Sequence, residues 1–262
     1  MRARTIALTM SLVVGSAMGP AFATPVTNLI VNGDFSVISG GINSPTQFGL
    51  QASVDPNQFI VGWTGNNGYE IWYPSAQEAV TISANGENSY TGQEKLWAAS
   101  PPPSGAGTFI GLDGSTTPDV QGSISQGLTG LSIGGTYQVS FDWAGAQMQF
   151  KNGATTDSLA VSLGSQSKDL TALKNGSEGF TGWHPASLDF VASRSSETLT
   201  FLAVGSPSGL RAFSLLTDVS VTEVPTNVSA QAPEPGSLAL LGGGLIGLGL
   251  VLSRRRKAAN AI

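Results

Sequence analysis

A cluster of aromatic and acidic residues between positions 63 and 73 could bind a sugar. The candidates are Trp63, Tyr69, Glu70, Trp72 and Tyr73, with Trp97 further along the chain. Aromatic rings stack on the apolar faces of pyranose rings, while carboxylate and amide groups hydrogen-bond to the hydroxyls. The segment is typical of a loop with a short strand, so we expect these rings to be exposed. For Trp63 and Trp72 taken singly, packing in the core is the favoured role, so the prediction rests on the cluster and not on one ring.

The residue inventory excludes several kinds of chemistry. The chain of 262 residues has no cysteine, which removes disulfides, thiolate nucleophiles and cysteine-ligated zinc. Its one histidine, His184, follows Gly182 and Trp183 and precedes a proline, which predicts a turn with a surface or structural role. A multi-histidine metal site is therefore impossible, and a Ser-His-Asp triad would have to use this residue. No motif pairs the carboxylates as a glycoside hydrolase would need, so we predict a protein that is not an enzyme.

The charges are few and unevenly placed. Only 11% of residues are charged and the net charge is -5. Arg2 and Arg4 lie at the N-terminus and four basic residues lie in 254–257, whereas the chain between them, up to residue 233, has six basic and sixteen acidic residues. This central part, with a net charge of -10, lacks the clustered cations that nucleic acid binding requires.

The residue pattern between the two ends has period two, as in β-strands. The clearest strand is predicted over 136–144, where Tyr137, Phe141 and Trp143 alternate with polar residues and are expected in the core. Further strands are predicted at 107–112, 123–128, 159–163, 187–191, 198–204 and 215–222, separated by turns rich in Gly, Asn and Ser. Short strands at this spacing predict an all-β fold, an antiparallel β-sandwich or jelly roll.

The N-terminus has the pattern of a secretory signal peptide. Two arginines precede a short apolar stretch that ends at Ala21-Phe22-Ala23, a small-x-small cleavage site for signal peptidase. Cleavage would make Thr24 the first residue of the mature protein. An uncleaved anchor helix is the alternative, but the stretch is short for a membrane span.

The C-terminus combines a short motif, an apolar run and a basic end. Pro233, Glu234 and Pro235 are followed by a predicted transmembrane helix at 237–253 and then by Arg254, Arg255 and Arg256. The basic end should stay in the cytoplasm, which places the rest of the chain outside the membrane. A plain C-terminal anchor is the alternative.

This arrangement resembles the PEP-CTERM sorting signal of Gram-negative bacteria. The resemblance implies recognition by a membrane-embedded exosortase, removal of the tail, and passage of the mature protein to the cell surface or the extracellular matrix. The precursor would be a single-pass protein of the inner membrane. Proteins of this kind often occur in organisms that make exopolysaccharide.

Four motifs in the central part resemble the galactose-binding-like jelly rolls, which include carbohydrate-binding modules. They are the opening at 28–35 (NLIVNGDF), ISQGL at 124–128, GTYQVSF at 135–141 and the closing LLTDVSVT at 215–222. The resemblance implies one sandwich over 24–224. The predicted organisation is a signal peptide at 1–23, this sandwich, a linker at 225–232 and the sorting signal at 233–257.

In several members of that superfamily a calcium ion ties the opening segment to the closing strand. Here Ser36 and Thr217 replace two acidic residues of the usual pattern, and Asp34 and Asp218 are the remaining candidate ligands. No other cofactor is expected.

Two functions remain open at this point. One is a non-catalytic module that binds carbohydrate, with exopolysaccharide as the expected partner. The other is a structural or adhesive matrix protein without a defined small ligand. A glycoside hydrolase is a weaker third hypothesis, since no carboxylate pair stands out.

Overall fold

The computed structural model describes residues 27–48, 60–65, 68–82, 84, 95–105, 107–116 and 120–225. The predicted signal peptide and the predicted sorting signal with its helix lie outside these residues, and of the predicted linker only Pro225 is described. Within these ranges, no helix has both the length and the apolar character needed to cross a membrane.

The described residues form twelve strands, one short α-helix and a one-turn 3-10 helix at Ser208–Leu210. The strands are β1 (Thr46–Phe48), β2 (Thr64–Gly65), β3 (Glu70–Tyr73), β4 (Phe109–Asp113), β5 (Ser123–Thr129), β6 (Thr136–Gln147), β7 (Thr155–Leu163), β8 (Gln166–Asp169), β9 (Leu173–Asn175), β10 (His184–Val191), β11 (Ser196–Ser206) and β12 (Ala212–Glu223). The helix α1 (Ala76–Thr81) begins after Ser75, whose hydroxyl accepts a hydrogen bond from the Glu78 backbone N–H.

The strands form two sheets in which all neighbours are antiparallel. The front sheet has the order β1-β3-β4-β12-β6-β10, and the back sheet has the order β2-β5-β11-β7-β8, with β9 also paired to β7. The predicted all-β antiparallel sandwich is confirmed, and each predicted strand overlaps an observed one. The turn predicted at His184 is wrong, because this residue begins β10 opposite Trp143.

The core between the sheets follows the alternation of their strands. On β6, Tyr137, Phe141 and Trp143 are buried, as predicted, while Gln138 and Ser140 between them face outward. On the back sheet, the inward-facing residues Phe201 and Val161 complete the same cluster. Phe141 and Phe201 meet across the sheets with ring centroids 5.0 Å apart and nearly perpendicular planes.

A second buried cluster covers half of the outer face of the front sheet. Its members on the sheet alternate with residues of the first core and therefore point away from the back sheet. They are Tyr69, Ile71, Tyr73, Phe109, Ala144, Ala146, Phe213 and Leu215. Ala76 and Ala79 of α1 pack in this cluster, and Phe180 and Trp183 pack against it. The outer face of the front sheet thus has a covered half and an open half.

The first and last described segments lie side by side. The Leu29 N–H donates to the Val221 carbonyl (2.9 Å), and the Val219 N–H donates to the Gly33 carbonyl (2.9 Å). A Cβ atom at Gly33 would lie only 1.9 Å from the Val219 carbonyl oxygen, so this close approach requires glycine. Both ends of the described chain therefore meet beside β12.

Candidate functional site

The open half of the front sheet carries a groove lined mainly by polar side chains. It has a volume of about 430 Å³ and is formed by residues of β6, β10 and β12. Its lining comprises Gln138, Ser140, Phe141, Asp142, Pro185, Ala186, Ser187 and Asp218. The groove therefore offers amide, hydroxyl and carboxylate groups on one accessible sheet surface.

Strand register aligns these polar groups in rows. Ser187, Ser140 and Ser220 lie opposite one another on β10, β6 and β12. Two residues further along each strand, the next outward-facing row consists of Asp189, Gln138 and Thr222. Within this row the Gln138 side-chain amide donates to Asp189 Oδ1 (3.3 Å). Paired residues of antiparallel strands face the same side of a sheet, so both rows face outward.

A β-bulge in β12 brings a second carboxylate to the groove. The pairing of β12 with β6 shifts between Thr217 and Ser220, which leaves an extra residue in β12. Asp218 lies in this bulge with φ of 54°, in the left-handed region that Asp tolerates better than most residues. Its side chain lines the groove together with Asp142.

The environment of Asp142 disfavours its charged form. Burial raises the pKa of Asp142 above its ordinary value, and the negative charge of Asp218 raises it further. Groups that donate hydrogen bonds relieve such repulsion, and sugar hydroxyls are donors of this kind. The groove is therefore chemically suited to a neutral polyhydroxylated ligand.

The structure places the predicted cluster at positions 63–73 inside the protein. Trp63, Tyr69, Glu70, Trp72 and Tyr73 are all buried, with at most 6% of their surface exposed. Trp63 and Trp72 lie in the core between the sheets, and Tyr69 and Tyr73 lie in the second cluster. Rings enclosed in this way pack in the interior and present no face on which a sugar could stack.

Several polar atoms of this cluster have internal partners. The Trp63 indole N–H donates to the Asn32 carbonyl (3.0 Å), and the Trp72 indole N–H donates to the Phe35 carbonyl (2.9 Å). One carboxylate oxygen of Glu70 accepts a hydrogen bond from the Ser123 N–H (2.9 Å). These contacts hold loops against the sandwich, which is a structural role.

Trp97 is the one predicted ring with substantial exposure, at 36%. Its indole N–H donates to the Lys151 carbonyl (2.7 Å), and its backbone N–H donates to Gln147 at the end of β6 (2.9 Å). Gln147 lies five positions after Asp142 on β6, about 17 Å along a strand, so Trp97 is not part of the groove.

Internal hydrogen bonds involve the residues next to Asp34 and Asp218, the candidate calcium ligands. Thr217, at the position of a usual acidic ligand, donates its hydroxyl hydrogen bond to the Thr108 carbonyl (2.9 Å), and the Thr108 hydroxyl donates to the Asp34 carbonyl (2.5 Å). Asp34 Oδ1 accepts hydrogen bonds from the N–H and the hydroxyl of Ser36. Among the described residues no three acidic or histidine side chains are grouped as metal ligands. Calcium binding at Asp34 and Asp218 stays a prediction.

Comparison with known protein families concerns the C-terminal tail. Residues 231–257 match the PEP-CTERM protein-sorting motif. The resemblance inferred from Pro233, Glu234 and Pro235 is therefore confirmed. The PEP-CTERM motif is in general a mark of exported proteins whose precursor is anchored in a membrane. No curated protein matches the chain in sequence.

Solved structures similar to this chain include proteins that act on or bind carbohydrate. An arabinose-bound α-L-arabinofuranosidase, MgGH51, is 12% identical with a TM-score of 0.40, over 75% of this chain and 26% of that one. The module TmCBM61, in complex with β-1,4-galactotriose, is 14% identical with a TM-score of 0.36, over 67% and 100%. The CBM22-1 xylan-binding domain of Paenibacillus barcinonensis Xyn10C is 13% identical with a TM-score of 0.35, over 70% and 94%. The similar region thus spans about a quarter of the arabinofuranosidase chain.

The groove residues were only partly visible in the sequence. The alternation on β6 predicted that Gln138, Ser140 and Asp142 would face away from the core. Nothing in the sequence indicated that β10 and β12 would flank them, or that the bulge would add Asp218. These facts depend on pairing between segments that are far apart along the chain.

Proposed function

We propose that this protein is an exported cell-surface or extracellular-matrix protein with a PEP-CTERM tail, whose sandwich binds polysaccharide without catalysis. Signal peptidase and an exosortase would process its two ends. The basic residues Arg254, Arg255 and Arg256 would keep the C-terminus of the single-pass precursor in the cytoplasm, in agreement with the positive-inside rule. Exopolysaccharide is the expected ligand class, and the acidic sandwich disfavours nucleic acid.

The observation that carries the binding role is the open polar groove on the front sheet. Ser140 and Ser187 can donate and accept hydrogen bonds, while Asp142 and Asp218 accept them strongly. The groove is bordered by a covered half of the same sheet, so a linear polymer would lie against a rigid, well-packed surface. Rigid placement of polar groups lowers the entropic cost of binding.

The groove predicts a loss of affinity when one of its carboxylates is removed. Asp142→Asn keeps the side-chain size but replaces a charged acceptor by a neutral amide, so binding of xylohexaose or galactotriose by the full chain should weaken by about 10-fold. Calorimetric titration measures this change. Asp169→Asn on β8, which removes an exposed carboxylate of the back sheet, is the matched control and should bind like the wild type. Equal affinities of both variants would show that the groove is not the site.

Two other functions make different predictions for the same assays. A structural or adhesive matrix protein would bind none of the sugars in a broad glycan panel. A glycoside hydrolase gains some support from the Asp142 and Asp218 pair and the raised pKa of Asp142, since such enzymes use two carboxyl groups. Release of reducing sugar, abolished in Asp142→Asn, would establish that activity.

The PEP-CTERM tail predicts a defined end of the exported protein. We expect mass spectrometry of the secreted form to find a C-terminus near residue 235, because the motif lies directly before the apolar run. A Glu234→Gln variant should accumulate as an uncleaved membrane precursor, whereas Glu223→Gln, in the sandwich, should be processed normally. Recovery of secreted protein that ends at Ile262 would contradict processing.

A further inference from the structure

A second polar cleft lies where two turns meet at one end of the back sheet. The turn between β7 and β8 and the turn between β10 and β11 enclose a volume of about 380 Å³. The lining residues are Gly164, Ser165, Ser193, Arg194, Ser196, Glu197 and Thr198. None of them has an apolar side chain, and none belongs to the groove of the front sheet. The cleft is therefore suited to a ligand rich in hydroxyl groups.

Glu197 forms the base of this cleft and is 94% buried. Its Oε1 atom accepts three hydrogen bonds, from the Ser193 N–H (2.9 Å), the Ser193 hydroxyl (2.5 Å) and the Arg194 N–H (3.1 Å). Burial opposes ionisation, but these hydrogen bonds and the charge of Arg194 hold the pKa of Glu197 below its ordinary value. Its other oxygen, Oε2, is buried and has no hydrogen-bond partner in the described part of the chain.

A buried carboxylate oxygen without a partner is costly and calls for an explanation. The three donors to Oε1 hold the turn at Ser193 and Arg194, so this oxygen of the Glu197 carboxylate has a structural role. The unused Oε2 can accept a further hydrogen bond from a ligand. A water molecule could fill this role in the absence of ligand and be displaced by a sugar hydroxyl.

Gly164 lets the turn lie directly against the carboxylate. A Cβ atom at this position would lie 2.9 Å from the Glu197 carboxyl carbon and 3.0 Å from Oε1. The residue also has φ of 57°, where side chains are disfavoured. Gly164 and Ser165 are exposed, so this turn forms the solvent-facing wall of the cleft.

Arg194 provides donors on the opposite side of the cleft. Its side chain is exposed and forms no ion pair with any residue that the structure describes. A guanidinium group presents paired N–H donors that suit two adjacent oxygen atoms. Arg194 and Glu197 together have no net formal charge, and the acidic surroundings repel anionic polymers, so a neutral ligand is favoured.

We propose that this cleft is a second saccharide site, which binds a pair of adjacent hydroxyls on a neutral sugar. Arg194 donates hydrogen bonds to the two sugar oxygens, and Glu197 Oε2 accepts one from a sugar hydroxyl. The hydroxyls of Ser165, Ser196 and Thr198 complete the contacts. This inference rests on the proposed carbohydrate-binding role and extends it.

Two sites on different sheets would make the protein bivalent. The groove lies on the front sheet between β6, β10 and β12, whereas the cleft uses β11 and the two turns. Two binding sites on one protein can hold two polysaccharide strands. Because the two sites are linked, overall attachment to a polysaccharide is stronger than binding at either site alone. Such a protein would cross-link a matrix as well as adhere to it.

Calorimetric titration of the full chain in detergent with xylohexaose tests the proposal. Xylohexaose is neutral, and its sugar units carry adjacent hydroxyls. We expect two sites in the wild type, and in Arg194→Met a loss of at least 10-fold in affinity at one of them. Arg194→Lys keeps the charge but not the paired donors, and should be intermediate. Gly164→Ala, which places a methyl group against the carboxylate, should also weaken this site, and Asp169→Asn is the control with unchanged binding.

The outcomes separate the two sites. Unchanged binding in Arg194→Met, with loss in Asp142→Asn, would overturn the cleft and leave the groove intact. Loss in Arg194→Met alone would support the cleft and overturn the groove. Tighter binding of hexagalacturonate than of xylohexaose would overturn the assignment of a neutral ligand. Failure of the wild type to bind either sugar would overturn both sites.

Discussion

Replacing Asp157 by asparagine should stabilise the folded protein by up to about 5 kcal/mol at pH 8, the largest effect expected of any single change. Asp157 lies on β7 and is fully buried between the sheets. Burial raises its pKa from 3.8 to about 8, and a hydrogen bond from the Thr155 hydroxyl (3.3 Å) only partly offsets this. Its Oδ1 atom has no partner among the described residues. Gly145 on the front sheet faces it so closely that a Cβ atom would lie 2.8 Å from Oδ2.

The sign of the pH dependence follows from this raised pKa. Below pH 3.8 the carboxyl of Asp157 is protonated in both the folded and the unfolded chain, and its contribution to stability is fully present. Between pH 3.8 and about 8 the unfolded chain releases the proton while the folded protein keeps it. Stability is therefore lost as the pH rises through this window, by about 1.4 kcal/mol per pH unit from this group.

Urea denaturation of the full chain at pH 4, 6 and 8, followed by tryptophan fluorescence, measures the effect. The gap between Asp157→Asn and the wild type should be small at pH 4 and grow with pH. Asp169→Asn removes an exposed carboxyl from the neighbouring strand β8 and should keep the wild-type slope. Parallel curves for Asp157→Asn and the wild type would show that Asp157 does not retain its proton.

Truncation of Trp63 should destabilise the protein by about 3–5 kcal/mol, because it opens a large cavity in the core. Its ring lies 5.2 Å from that of Phe35 and 6.3 Å from that of Phe201, measured between centroids. Trp63→Ala also leaves the Asn32 carbonyl without its indole donor. This residue joins the opening segment to the back sheet within the main core, so the loss should affect the whole sandwich.

Trp97→Ala is the matched control for this experiment. Its ring is partly exposed and makes one hydrogen bond, to Lys151, so the expected cost is only about 1 kcal/mol. Chemical denaturation of both variants measures the difference, and sugar titration at low temperature checks binding while Trp63→Ala remains folded. If Trp63→Ala kept full stability but lost sugar binding, Trp63 would be a binding residue and not a core residue.

The fold could be predicted from the sequence where one face of a strand is buried and the other is open. On β6, Tyr137, Phe141 and Trp143 alternate with Gln138 and Asp142 because the core lies on one side and solvent on the other. The same reasoning placed the other long strands. The tail could also be predicted, since the PEP-CTERM motif, the apolar run and the arginines are contiguous in sequence.

The aromatic cluster could not be placed in this way, because β3 is buried on both faces. Trp72 faces the core between the sheets, while Ile71 and Tyr73 face the second cluster beneath α1. A strand covered on both sides loses the period-two pattern, and polar residues such as Glu70 make it look like a loop. The cluster was therefore predicted as a binding site, although its rings fill the interior.

The sequence by itself determined the strand-rich sandwich, the acidic character of its surface and the PEP-CTERM tail, because alternation, composition and contiguous motifs are local properties. Only the tertiary structure decided where a ligand could bind. Asp142 and Asp218 are 76 residues apart and meet through strand pairing and a bulge, and Gly164 and Glu197 meet through the packing of two turns. Such sites depend on strand register and on which face of a sheet is covered, and both are set by long-range packing.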